Sequence, residues 1–159
     1  MEFKLNGSVE KVFGLLTDPK WLKARSLELG EISALCTVKE SGGLNVTMKR
    51  RVHRDLPAIV AKVINPDSDI EIVEHWTGDA GKRTATYVLS IVGKPITVTA
   101  DITLEPAGKG CVYRIQHTAK VKVPLIGGVI EKFVVGETEK GCSDELEYLA
   151  NYLKTSKST

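Results

Sequence analysis

Apolar and polar residues follow two different periods along this chain, and the change from one to the other divides it. Between residues 31 and 123 the period is mostly two, as in strands. Ile32, Ala34, Cys36 and Val38 share one face. A Ser41-Gly42-Gly43 turn follows, and Leu44, Val46 and Met48 resume the alternation, which predicts a hairpin. Further strands are predicted over 70–77, 84–92, 96–105 and 111–123, separated by GDAG, GK and GKG turns. Consecutive hairpins of this kind imply an antiparallel meander rather than parallel βαβ units.

Outside that region the period is helical. Residues 1–6 read as a short strand, and Ser8 suits the N-cap of a helix whose buried stripe is Val9, Val12, Phe13, Leu15 and Leu16. Asp18-Pro19 ends it and starts a second helix, with Trp21, Leu22, Leu27 and Leu29 as its apolar side and Gly30 as its stop. Asp55-Leu56-Pro57 resembles a cap with proline in the first turn and predicts a short helix over 56–64, although IVAKVI suits a strand equally. The stretch 124–154 predicts one long terminal helix with Pro124 in its first turn. At about 100° per residue its first stripe, through Ile126, Ile130, Phe133 and Val134, does not line up with the second, through Cys142, Leu146, Leu149 and Leu153. The face changes near Gly141. An interior glycine costs on the order of 1 kcal/mol relative to alanine, so Gly136 and Gly141 either mark a bend, a close contact or open space, or are simply tolerated.

This order of elements resembles the START-like helix-grip (SRPBCC) superfamily, which contains birch-pollen allergens, lipid-transfer START domains and polyketide cyclases. The motifs IEIVEHWTGD at 70–79 and VPLIGGVIEKF at 123–133 resemble, more narrowly, an uncharacterised family of that superfamily found in actinobacteria. The resemblance implies an α+β fold: a curved antiparallel sheet of about seven strands wrapped around the C-terminal helix, with two short helices after the first strand. It also implies an apolar cavity between sheet and helix, opening near the small helices and the strand loops. It implies no reaction, and no match to the catalytic residues of a particular cyclase is present. A single domain over 1–154 is expected, with 155–159 as a polar tail.

Strand alternation then predicts which side chains face that cavity. In the last strand Cys111, Tyr113, Ile115, His117, Ala119 and Val121 share the inward face; in the preceding one Ile96, Val98, Ala100, Ile102 and Leu104 do. For 70–77 the set Ile70, Ile72, Glu74 and Trp76 is preferred as inward, which carries Glu74 into an apolar surface. Leu44, Val46, Met48 and Arg50, and Ala85, Tyr87, Leu89 and Ile91, complete the lining. The predicted site therefore combines the polar groups Arg50, Glu74, Tyr87, Tyr113 and His117 with apolar Trp76, Val98, Ile115, Ile130 and Phe133. A mostly apolar pocket with a few convergent polar groups suits a small molecule with one polar end. The alternatives are structural: an Arg50–Glu74 ion pair or a register error, a satisfied core histidine at His117, and packing roles for the tyrosines and Trp76. Glu137 reads either as inward or as an exposed helix glutamate.

Composition narrows the readings further. The 22 basic and 20 acidic side chains nearly balance, which leaves no global field for nucleic acid or an anionic membrane. Three scattered cysteines without CxxC spacing indicate a reduced, cytoplasmic protein, and no leader-like or membrane-length apolar run is present. The sequons at Asn6 and Asn45 then read as chance matches. No P-loop, dinucleotide glycine pattern, HExxH or GxSxG occurs, and His53, His75 and His117 lack ligand spacing, so no cofactor and no metal are expected. The basic run KRRVHR at 49–54 places Lys49, Arg51 and His53 outward without interleaved aromatics, as a solvated strand face does. LIGGVI reads either as a gate over the cavity mouth or as a packed first helical turn. Three functions remain open: a carrier or sensor for a hydrophobic small molecule, a cyclase- or hydratase-type enzyme using His117 or Glu74, and an interaction module with a filled cavity.

Overall fold

The computed structural model describes residues 1–156, so the expected tail residues 157–159 lie outside the described residues. Strands β1 (Glu2–Leu5), β2 (Ser33–Glu40), β3 (Leu44–His53), β4 (Asp67–Asp79), β5 (Lys82–Ile91), β6 (Ile96–Ala107) and β7 (Gly110–Val121) form one seven-stranded sheet in the order β1-β7-β6-β5-β4-β3-β2. Every neighbouring pair is antiparallel. Helices α1 (Val9–Leu16) and α2 (Pro19–Glu28) follow β1, and α3 (Gly127–Thr155) ends the described chain. This is the helix-grip architecture.

Local chemistry explains the boundaries. Ser8 accepts from the Lys11 amide and Asp18 from the amides of Lys20 and Trp21, so each of the first two helices has a side-chain N-cap. Gly43 closes the β2–β3 turn at φ 135°, where a Cβ would collide with the Trp76 carbonyl oxygen. The predicted alternation in β6 holds at every inward position, and Ile96, Val98, Ala100, Ile102 and Leu104 are all buried. Arg51 and His53 of the basic run lie on the outer face opposite Asp69 and Asp67, and each pairs across the strands with that partner.

Three expectations are corrected. The predicted helix over 56–64 is only a 3₁₀ turn at Val60–Lys62 with no side-chain cap; four β-branched residues in six make a longer helix unfavourable, and Val60 and Ile64 are buried instead. The terminal helix begins at Gly127, because Pro124-Leu125 forms a tight turn in which the Ile126 amide bonds back to the Pro124 carbonyl. In α2 the buried residues are Leu22, Arg25 and Ser26, whereas Leu27 and Leu29 are exposed.

The long helix also runs without a break at Gly141. Ile130, Val134, Leu146, Leu149 and Leu153 are buried along it. Between the two apolar stretches the same side carries Thr138, Gly141, Cys142 and Glu145, all of which line a cavity. At about 100° per residue Glu145 returns to within about 20° of Val134. The buried side drifts around the helix, with Leu146 about 120° from Val134, and its middle is small and polar. Among the described residues no helix is long and apolar enough to cross a membrane.

Candidate functional site

The space between the sheet and the middle of α3 is a cavity of about 150 Å³. Its floor comes from β3, β4, β5 and β7, and its roof from α3 between Phe133 and Leu146. Exposed Asn65 and Pro66 in the β3–β4 connection mark where it approaches the surface. Of the predicted site residues, Arg50, Glu74, Trp76, Tyr87, Tyr113, Ile115, His117 and Phe133 line it. Val98 and Ile130 point inward but are fully buried in the packed core and lie outside the lining.

Strand register assembles the polar floor. Glu74 stands opposite Tyr87, Tyr87 opposite Ala100, and Ala100 opposite His117, so one row crosses four strands. Neighbouring strands lie about 4.8 Å apart. The methyl group of Ala100 leaves room above it, and the rings of Tyr87 and His117 meet edge to face across it at 5.5 Å. His117 is only 6% exposed, and its Nδ1 has no hydrogen-bond partner. Burial pushes its pKa below the ordinary value, which favours the neutral imidazole. Burial raises the Tyr87 and Tyr113 hydroxyls well above theirs, so both remain protonated donors.

The Arg50–Glu74 pair considered from sequence is absent. Glu74 accepts instead from the indole nitrogen of Trp76 at 2.9 Å, and burial pushes its carboxyl upward. Trp76 is itself held edge to face by Phe13 at 5.6 Å. Arg50 goes to Glu145 of α3 through Nη1 at 3.3 Å and Nη2 at 3.2 Å, and Arg25 of α2 reaches the other oxygen of the same carboxylate at 3.1 Å. Burial alone would raise Glu145, yet the two guanidiniums outweigh it and hold the group below its ordinary range.

Sequence reasoning missed Arg25, Thr138 and Glu145; of the options left open for Gly141, the open space is the one found. A signal existed for two of them: Arg25 falls three residues after buried Leu22, and Glu145 four before buried Leu149, the spacing of a buried helical face. Glu137, left open between two orientations, lies in the lining, with Arg54 Nε 3.9 Å away. Gly136, the other interior glycine of α3, is exposed and lies outside the lining.

Thiol chemistry has little support here. Burial raises the pKa of Cys36 to about 11, of Cys111 to about 11 and of Cys142 to about 12, which leaves each a protonated thiol rather than a thiolate. Among the described residues no cluster of His, Cys, Asp and Glu is placed to hold a metal.

The sequence from residue 1 to residue 153 matches a family described as "Protein of unknown function (DUF2505)". The chain belongs to this family. Relatives include the uncharacterized protein Rv0481c of Mycobacterium tuberculosis and Mb0491c of Mycobacterium bovis, each 27% identical over 145 residues, which cover 84% of this chain and 83% of the relative. Among solved structures, TTHA0849 from Thermus thermophilus superposes with a TM-score of 0.69 at 14% identity, covering 98% of this chain and 96% of that one. A START superfamily protein from Mycobacterium smegmatis gives 0.65 at 13% identity, with 96% of each chain covered. At these identities the likeness establishes the START-like fold alone, which the DUF2505 sequence realises with its own cavity chemistry.

Proposed function

We propose that this protein binds and carries a hydrophobic small molecule with one polar end, of the lipid, fatty-acid or polyketide-like kind, in the cavity between sheet and α3. The observation that carries this reading is the cavity itself: apolar Ile72, Leu89, Ile115 and Phe133 surround the polar row Glu74, Tyr87 and His117. Core side chains normally pack to crystal-like density, so an unfilled space beneath Gly141 forgoes stability that a larger side chain would supply. An apolar cavity of about this size accepts a single aromatic ring. A ring-sized body or a short acyl segment therefore fits without displacing the helix. The same open space weighs against an interaction module with a filled cavity.

A second reading is an enzyme of the cyclase or hydratase kind. It is favoured by a carboxyl with a raised pKa and a neutral imidazole with an unpartnered nitrogen at the two ends of one row, three strands apart on the cavity floor, where a bound molecule could meet both.

Native mass spectrometry of the purified protein, followed by solvent extraction, tests the carrier reading. A co-purifying hydrophobic compound at one per chain supports it. A protein that is empty and also takes up no neutral polarity-sensitive dye overturns it. Turnover of the extracted compound, abolished by His117→Ala or Glu74→Gln, would select the enzyme.

A further inference from the structure

One end of the cavity holds more hydrogen-bond donors than the protein itself answers. Arg25 and Arg50 both line it, and both direct their contacts to Glu145. Two guanidiniums carry roughly ten N–H donors between them, whereas one carboxylate has two oxygens. Arg25 spends Nη2 on Glu145 and stacks over Trp21 at 5.4 Å; Arg50 spends Nη1 and Nη2 on Glu145, with Met48 Sδ also near Nη2. The Nε atoms of both arginines have no acceptor, and Arg25 is only 6% exposed.

The neighbouring carboxylates offset the charge but do not reach the two free donors. Glu74 hydrogen-bonds neither arginine, because its bond is from Trp76; the two guanidiniums act on it only through space, and burial outweighs them and raises its carboxyl. Arg54, nearer the mouth, is already answered by Glu31 at 3.0 Å and Glu137 at 3.9 Å. The Tyr87 hydroxyl, opposite Glu74 in register, has no partner among the described residues. A buried donor without an acceptor is expensive, so two orphaned Nε–H groups on guanidiniums held by two secondary elements are a feature to be completed.

We propose that the Arg25–Arg50 end of the cavity is an anion subsite that takes the carboxylate of a small hydrophobic monocarboxylic acid, whose apolar body lies over Ile72, Leu89 and Ile115 beneath Gly141. The proposal rests on the reading of the cavity as a ligand site and adds the chemistry of the ligand's polar end. The orphaned Nε–H groups call for acceptor oxygens, which a carboxylate supplies without the second negative charge of a phosphate. A planar carboxylate also suits the guanidinium fork, which favours two parallel N–H bonds. A cationic ligand offers these donors no acceptor.

The test uses the full chain and four probes of one ring each: benzoate, benzyl alcohol, benzylamine and toluene, titrated by heteronuclear NMR. Benzoate is expected to bind at least ten-fold more tightly than benzyl alcohol, with benzylamine weakest. Arg50→Met keeps Glu145 paired one to one with Arg25, so this variant is expected to fold. It should lose at least ten-fold in benzoate affinity while toluene binding stays the same. Equal binding of benzoate and toluene, a preference for benzylamine, or an unchanged benzoate affinity in Arg50→Met overturns the anion subsite but leaves the cavity standing. Failure of all four probes to bind overturns both the subsite and the carrier reading.

Discussion

Arg50 of β3 is bound by Glu145 of α3, 95 residues further along the chain, through two nitrogens on one carboxylate oxygen. The other oxygen takes Arg25 of α2, so a single carboxylate ties both a short helix and a strand to the long helix. These are the elements that enclose the cavity. The triad therefore acts as both a brace for the enclosure and part of its wall.

Removing Glu145 leaves two buried guanidiniums without a counter-charge, whereas removing Arg50 leaves a balanced pair. Breaking a buried ion pair from one side costs roughly 3–5 kcal/mol. Glu145→Ala is expected to lose about that much stability in urea unfolding, and Arg50→Met less than half of it. Equal losses in the two variants would mean that packing, not charge balance, sets the contribution.

Glu74 gives a pH dependence of definite sign. Burial raises its pKa above the ordinary 4.5, so the folded chain holds this proton more tightly than the unfolded chain does. The associated stability is complete below pH 4.5 and is lost as pH rises through the raised value. Glu74→Gln keeps an acceptor for Trp76 and cannot ionise. It should match the parent protein at about pH 4 and be the more stable of the two at about pH 8, by urea unfolding at both. A stability difference independent of pH would show that Glu74 does not titrate over this range.

The two interior glycines of α3 should separate cavity from surface. A Cβ at either position meets nothing within 4 Å, but Gly141 lines the cavity and Gly136 is exposed. Either substitution by leucine should gain about 1 kcal/mol of helix propensity. Gly141→Leu should also fill the cavity and reduce dye uptake at least ten-fold, while Gly136→Leu leaves uptake unchanged. Retained uptake in Gly141→Leu would place the binding volume elsewhere.

What the sequence disclosed depended on how many constraints each residue carried. From Ile96 to Leu104 in β6 every second residue is apolar and the alternate ones are Thr and Asp, so alternation alone assigned the faces. The faces of Glu74, Tyr87 and His117 were legible as well, but their meeting in one row was not, because register depends on turn geometry that separate strands do not encode. Arg25 and Glu145 escaped notice because helical stripes were read from apolar residues. That criterion selected Leu27 and Leu29, which are exposed, over Arg25, which is buried. A charge becomes a tolerable core residue only through its partner, and this partner lies 120 residues away. Val98 and Ile130 were correctly oriented, yet orientation does not say where along its length the sheet–helix interface opens.

Leu125 offers the remaining test, of whether the LIGGVI segment gates the cavity. It is fully exposed and holds φ at 68°, a left-handed conformation that costs a leucine roughly 1–2 kcal/mol. The Pro124-Leu125 turn requires this geometry, and the side chain recovers nothing by packing. Asparagine tolerates the same backbone at lower cost. Leu125→Asn is therefore expected to stabilise the protein by about 0.5–1 kcal/mol in urea unfolding. Since Leu125 lies outside the cavity lining, dye uptake and release should keep the parent rates. A changed release rate at unchanged affinity would instead identify this turn as a gate, with the exposed leucine as its contact to whatever delivers the ligand.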